Sequence, residues 1–212
     1  MPQKPRSRSQ ATRMRLRPGS LIRPTPTVIR FVDKHVERNR GRPTRDLIQS
    51  MANEISAFRK VGMSHRELIG WYAQRPADKI ISSGAVAVIK KGDANYETTP
   101  IVGCVCHGTA LVGALRVLLD RGMIDDALFA RRRGRSYVKY KEGGEWYKVD
   151  MHRAGDVRVR RYTREMLKNE KNAAAKGTFA EGNEAHDIGL TGMSRFHDFA
   201  QHVPPERRFL SW

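Results

Sequence analysis

The sequence predicts an α+β fold, and three observations carry that prediction. Apolar residues recur at helical spacing between residues 44 and 58 and again between 110 and 119, aromatic and β-branched runs flank Gly143-Gly144 as in a hairpin, and charge is segregated along the chain. Lys and Arg number 40 against 22 Asp and Glu, a formal net charge of +18 in 212 residues. Residues 1–45 hold 13 basic and 2 acidic side chains, residues 46–130 hold 9 of each, and residues 131–176 hold 15 against 6. This layout suggests a basic arm over 1–41, a neutral core over 42–130, a basic hairpin and helix over 131–176, and an aromatic-containing tail over 177–212. The expected architecture is a helical hairpin with a small antiparallel sheet, central apolar helices, and a C-terminal basic β-hairpin and helix, preceded by a basic, disordered N-terminal arm.

The arm carries Arg6, Arg8, Arg13, Arg15 and Arg17 and is punctuated by Pro18, Pro24 and Pro26. It has too little apolar surface to offset its ordering entropy, so it is expected to bind a polyanion or to serve as a solubilising tail or organellar transit peptide. Val28, Ile29, Phe31 and Val32 break it, and are expected to dock it on the body as a strand or helical turn.

Pro43 and Thr44 open a helix with Leu47, Ile48, Met51, Ile55 and Phe58 on one face, which Gly62 is expected to end. Ser64 and Glu67 form a capping-box pattern, with Met63 and Leu68 placed as its hydrophobic staple, and a second helix carries Leu68, Ile69 and Tyr72 as far as Pro76. The segment from Phe58 to Ile69 resembles the first two helices of a helix-turn-helix module. The groove-entering helix such a module needs is missing or degenerate, because Gly84 soon opens the β-rich run Ala85-Val86-Ala87-Val88-Ile89.

Residues 85–91 and 96–105 read as two strands joined at Lys91-Gly92-Asp93-Ala94. An apolar helix over 109–121 follows, carrying Ala110, Leu111, Ala114, Leu115, Leu118 and Leu119, with Gly122 as C-terminal cap. Met123 to Asp126 is expected to begin another helix. Residues 136–140 and 145–150 pair around Gly143-Gly144, residues 156–162 form an alternating strand, and Thr163 caps a helix reaching Lys176. The tail holds Phe196, Phe199, Phe209 and Trp212 and is expected to pack on its own domain or on a second copy, which makes a homo-oligomer a reasonable expectation.

A surplus of cations this large calls for polyanionic company, nucleic acid first. The candidate phosphate-binding residues are Arg6, Arg8, Arg13, Arg15, Arg17, Arg131, Arg132, Arg133, Arg135, Lys139, Lys141, Arg158, Arg160, Arg161 and Arg164. Tyr140 and Trp146 interleave with the cations of the hairpin and are candidates for stacking on bases. The sequence leaves DNA and RNA open, and with them a DNA-binding regulator or packaging factor that uses the helix pair, a viral coat protein or nucleoprotein, and a ribonucleoprotein component, the last two fitting a basic arm on a neutral core particularly well. No apolar run approaches the length of a spanning helix, so an intracellular setting is expected, in the cytoplasm or within a nucleoprotein particle, with no membrane partner.

Chemistry finds few marks. Cys104, Cys106 and His107 cluster, but no second Cys/His pair stands at zinc spacing, so neither a metal nor another cofactor is expected. Phosphate-binding glycine loops, dinucleotide fingerprints and serine elbows are absent from the sequence, and Asp125-Asp126 reads as a helix start. The segments Ser136-Tyr137-Val138-Lys139-Tyr140 and Trp146-Tyr147-Lys148-Val149-Asp150 resemble the strand pair that carries histidine and aspartate in papain-like deubiquitinating proteases. That resemblance implies a cysteine hydrolase with Cys106 as nucleophile. Ser136 stands where the family has its histidine, which leaves His107 or His152 to supply the base. Binding without catalysis is the expectation.

Overall fold

A computed structural model describes residues 16, 18–64, 67, 75–89, 102–132, 135–151, 157–188, 203, 204 and 207–211. Among these residues it has five helices, a five-stranded antiparallel sheet and a small parallel sheet, so the α+β class holds. No helix among them is long and apolar enough to cross a membrane.

Helix α1 spans Pro26–Arg38, where the sequence suggested no more than a docking turn. Thr25 caps it by accepting the Val28 N–H, proline occupies its first turn, and Val28, Phe31, Val32 and His35 face inward at helical spacing. The expected arm boundary at residue 41 therefore falls too late. Ile22 is also buried, and its neighbour Leu21 is tied at both backbone groups, accepting from Ala77 N at 2.7 Å and donating to the Glu184 carboxylate at 2.9 Å.

Helix α2 (Thr44–Ser56) begins as expected and stops six residues before Gly62. The Ser56 hydroxyl donates back to the Asn53 carbonyl at 2.8 Å, a bond that competes with continued helix. Residues 59–63 become strand β1 (Arg59–Met63), which runs parallel to β2 (Ala85–Ile89), with Arg59 opposite Ala85 and Met63 opposite Ile89. Tertiary pairing overrides the helical period here, and the helix-turn-helix likeness loses its first helix. The capping box survives the correction: Ser64 N donates to Glu67 Oε2 at 2.8 Å, and Glu67 N to Ser64 Oγ at 3.3 Å. The rest of the helix expected there lies outside the described residues. Helix α3 (Ala77–Ser83) ends at Gly84, whose φ of 54° closes it in the left-handed region.

Helix α4 (Val102–Asp120) absorbs the end of the expected second strand. Gly122, at φ 70°, reverses the chain, with Met123 N bonding to Leu118 O at 3.0 Å, so β3 (Asp126–Arg132) returns antiparallel to the helix. The helix expected at Met123–Asp126 is thus a turn and a strand. Ala127 to Ala130 are buried on both faces of the sheet, and such a strand shows a continuous apolar run that periodicity cannot distinguish from helix.

Strand β4 (Arg135–Glu142) turns through Gly143 and Gly144, both at positive φ, into β5 (Glu145–Asp150). Then come β6 (Arg158–Arg161), α5 (Arg164–Ala175), β7 (Phe179–Gly182) and a short 3₁₀ turn at Ala185–Ile188. Spatial order in the sheet is β6-β5-β4-β3-β7, all antiparallel.

Helices cover both faces of this sheet. Phe129, Val138, Tyr140, Val149 and Val159 join Ala110, Leu111, Ala114, Leu115 and Leu118 of α4 in the main core. A Cβ on Gly108 would come within 2.5 Å of the Phe129 ring, so the α4 backbone lies directly on β3. On the other face Leu128, Trp146 and Tyr162 pack under Met166 and Leu167 of α5, while Tyr137 and Phe179 pack with Ala173 and Ala174. Phe209 from the tail joins this face at 6.0 Å from the Phe179 ring, so part of the aromatic tail packs on its own chain.

Candidate nucleic-acid interface

Strand β6 is an edge strand whose inward residue, Val159, is buried while Arg158, Arg160 and Arg161 are exposed. An open edge would normally invite another strand. Here α2 fills it: Val159 N donates to Gln49 Oε1 at 3.1 Å, Gln49 Nε2 donates to Val157 O at 3.0 Å, and Arg45 Nη2 donates to Val159 O at 3.0 Å. With Val159 bonded at both backbone groups, no further strand can pair at this point of the edge. Thr163 caps α5 by accepting from Met166 N at 3.1 Å, which directs the chain into a helix that continues the basic surface through Arg164, Lys168 and Lys171, all exposed. Arg161 reaches back to Glu145 at 2.8 Å, an exposed pair that adds little to stability.

The expected site residues separate into three groups. Arg158, Arg160, Arg161 and Arg164 come together along this edge, Arg132 is exposed at the end of β3, and Lys141 is half-buried with its Nζ 5.8 Å from the Trp146 ring. Arg131, Lys139, Tyr140 and Trp146 are placed differently from the expectation: all four are buried, at 5%, 0%, 0% and 6% exposure. Lys139 lies between Glu170 and Glu181, and the two aromatics lie under helices on opposite faces of the sheet, so none of the four meets solvent. The helices that cover Tyr140 and Trp146 leave these two rings no solvated face for stacking. Arg6, Arg8, Arg13, Arg15, Arg17 and Arg133 lie outside the described residues, as does the side chain of Arg135.

The cysteine cluster resolves less favourably for catalysis. Cys106 and His107 are successive residues of α4, and successive helical positions point about 100° apart. Both are buried, and burial, helped by the nearby charge of Lys60, lowers the His107 pKa to about 4, so its imidazole is neutral at pH 7. Ser136 lies opposite Arg131 on the α4 side of the sheet, buried, with no hydrogen-bond partner for its hydroxyl. His152 lies outside the described residues. No group of three potential metal ligands occurs among the described residues.

The sequence did not reveal an open cleft of about 560 Å³ beside the arginine edge, lined by Pro43, Arg45, Asp46, Gln49, Glu142 and Tyr147. Its two halves lie a hundred residues apart, at the start of α2 and at the β4–β5 turn, and only tertiary packing joins them. Tyr147 is half-buried and stacks on Tyr140, with ring centroids 4.9 Å apart and planes 11° from parallel. Arg161 is its cross-strand neighbour.

No family model matches this chain, and no curated protein or solved structure proved significantly similar.

Proposed function

We propose that this chain binds nucleic acid without catalysing a reaction, using phosphate contacts from its basic N-terminal segment and from the arginine edge formed by β6 and the start of α5. The observation that carries this reading is the exposed set Arg158, Arg160, Arg161 and Arg164 on an edge where α2 side chains bond both backbone groups of Val159. Guanidinium groups pair with phosphate oxygens, and cations concentrated along one edge follow a backbone better than the same charge scattered over the surface. The charge surplus of the first 45 residues adds a second contact region. A protein of this design holds its ligand largely without regard to sequence, as a nucleoprotein or ribonucleoprotein component does.

The test is a titration of the full chain with labelled single- and double-stranded RNA and DNA at increasing salt. Neutralising six or more phosphates makes affinity fall roughly a thousandfold or more between about 50 and 200 mM salt. A flat titration removes the proposal.

A further inference from the structure

Helix α5 links the two outer strands of the sheet, and that placement carries an inference that rests on the phosphate-binding reading and gives its ligand a path. The helix follows β6 after two residues and leads into β7 after three, and these strands lie at opposite edges of the order β6-β5-β4-β3-β7. It therefore crosses the three strands between them. Its 12 residues make a rod of about 18 Å, against about 19 Å for four inter-strand spacings, so the helix reaches from one edge to the other. Packing follows the crossing: Met166 and Leu167 lie with Trp146 and Tyr162 near the β6 edge, and Ala173 and Ala174 lie with Tyr137 and Phe179 toward β7.

The solvent side of this rod is sorted by charge. Glu170, Ala173 and Ala174 point into the protein, and at about 100° per residue Arg164, Lys168 and Lys171 fall within about 60° of one another on an exposed flank. The exposed flank beyond them carries Glu165, Asn169 and Asn172. The cationic stripe continues at the β6 edge. Lys139 lies under α5, paired with Glu170, and the register sets Lys148 opposite Lys139 and Arg160 opposite Lys148. Arg160, and Arg158 two residues before it, therefore share the sheet face on which α5 lies, and both are exposed. At the far end, Leu21 N donates to Glu184 Oε2 just after β7, so the basic N-terminal segment joins the body at the β7 edge.

We propose that one single-stranded nucleic acid lies along α5, its phosphates held in turn by Arg158, Arg160, Arg164, Lys168 and Lys171, and passes from the arginine edge to the N-terminal segment. One row of cations matches one backbone. The second backbone of a duplex, about 6–12 Å away across a groove, would meet Glu165, Asn169 and Asn172 on the neighbouring flank instead of a second row of cations. Tyr137, Trp146 and Tyr162, the aromatics beneath the path, are buried, so the strand is held by its backbone and not by stacking.

The experiment uses the full chain and fluorescein-labelled oligothymidylates of 4, 8 and 16 residues, with a duplex of 16 base pairs, measured by fluorescence anisotropy across a range of salt. A tetramer has too few phosphates for the five cations of the path, so affinity should rise by about tenfold or more from the tetramer to the octamer. Lys168→Ala should weaken the octamer about two- to fivefold and reduce its salt slope, as Arg160→Ala does. Arg30→Ala, which removes an exposed cation of α1 on the α4 side of the sheet, should change neither. Asn169→Lys adds a charge to α5 off the stripe and should leave the octamer near the parent's affinity. Thermal midpoints of all four variants should stay near the parent's, since each residue is exposed. If Arg160→Ala weakens the octamer while Lys168→Ala behaves as Arg30→Ala, or if Asn169→Lys tightens binding as much as Lys168→Ala weakens it, the strand does not follow the stripe and the phosphate reading at the β6 edge stands. A duplex bound more tightly than the 16-residue single strand overturns the single-stranded ligand. If no oligomer binds at any salt, both readings fall.

Discussion

Lys139 Nζ lies 2.7 Å from Glu181 Oε2, and neither side chain is reached by solvent. Glu170 Oε2 stands 2.8 Å from the same ammonium, and Ser211 Oγ also accepts from it. Two carboxylates around one cation leave an excess negative charge, which hydroxyls from Tyr137, Tyr162 and Ser211 and the Leu210 N–H stabilise by donating to Glu170 and Glu181. The rings of Trp146, Tyr162, Phe179 and Phe209 all lie within 5.6 Å of the ammonium. This cluster joins the sheet, α5 and the tail.

Replacing Lys139 by Met leaves two carboxylates facing each other in the interior. The expected cost is about 3–5 kcal/mol, because an uncompensated buried charge is far more unfavourable than an absent pair. Adding Glu170→Leu and Glu181→Leu to that variant should recover part of the loss. Urea denaturation of the single and triple variants measures both quantities. A Lys139→Met protein as stable as the parent contradicts the network.

The salt dependence of binding assigns the edge residue by residue. Arg160→Ala should weaken binding to all sequences alike and reduce the magnitude of the salt slope by about 0.9, the share of one phosphate contact. Thermal stability should change by less than about 0.5 kcal/mol, since the side chain is exposed. An unchanged slope removes Arg160 from the interface.

Hairpin, final strand and final helix were legible because local signals agreed: two glycines at positive φ between alternating runs, and a threonine whose hydroxyl caps α5. The first strand was not, since residues 59–63 become a strand only by lying parallel to β2, a partner more than twenty residues away. The candidate interface was half legible. Arg158 to Arg164 stand out in any count of charge, but the same count included Lys139, because a lysine in an alternating hairpin reads as solvated until α5 and the tail are seen to cover it. The cleft had no local mark at all.

The N-terminal boundary gives a prediction that corrects the charge-based one. Removing residues 1–26 takes away Ile22, which is 1% exposed, together with the Leu21 bonds to Ala77 and Glu184. Such a truncation should lower the thermal midpoint clearly relative to removal of residues 1–15, and Ile22→Ala alone should cost about 2–5 kcal/mol. Equal midpoints for the two truncations contradict the docking of this segment.

Acid should destabilise the protein through its buried histidines, and His107 sets the window. Its imidazole has a pKa of about 4 in the folded state, against about 6.5 in an unfolded chain. The unfolded state therefore binds more protons between those values, so the stability held above pH 6.5 is lost as the pH falls toward 4. The loss for this one group is up to about 3 kcal/mol. His35 acts in the same direction. It is 1% exposed, its Nδ1 lies 3.0 Å from Ser50 Oγ, and burial lowers its pKa despite Glu54 Oε2 at 3.2 Å from Nε2. His107→Leu keeps an apolar group at a site where Nε2 has no hydrogen-bond partner, so it should flatten the pH profile between 6.5 and 4 while costing little at pH 7.5. Urea midpoints of parent and variant across that range provide the measurement, with the difference between the two curves isolating His107 from the other ionisable groups. Parallel curves would show that the imidazole is charged, or reached by water, in the native state.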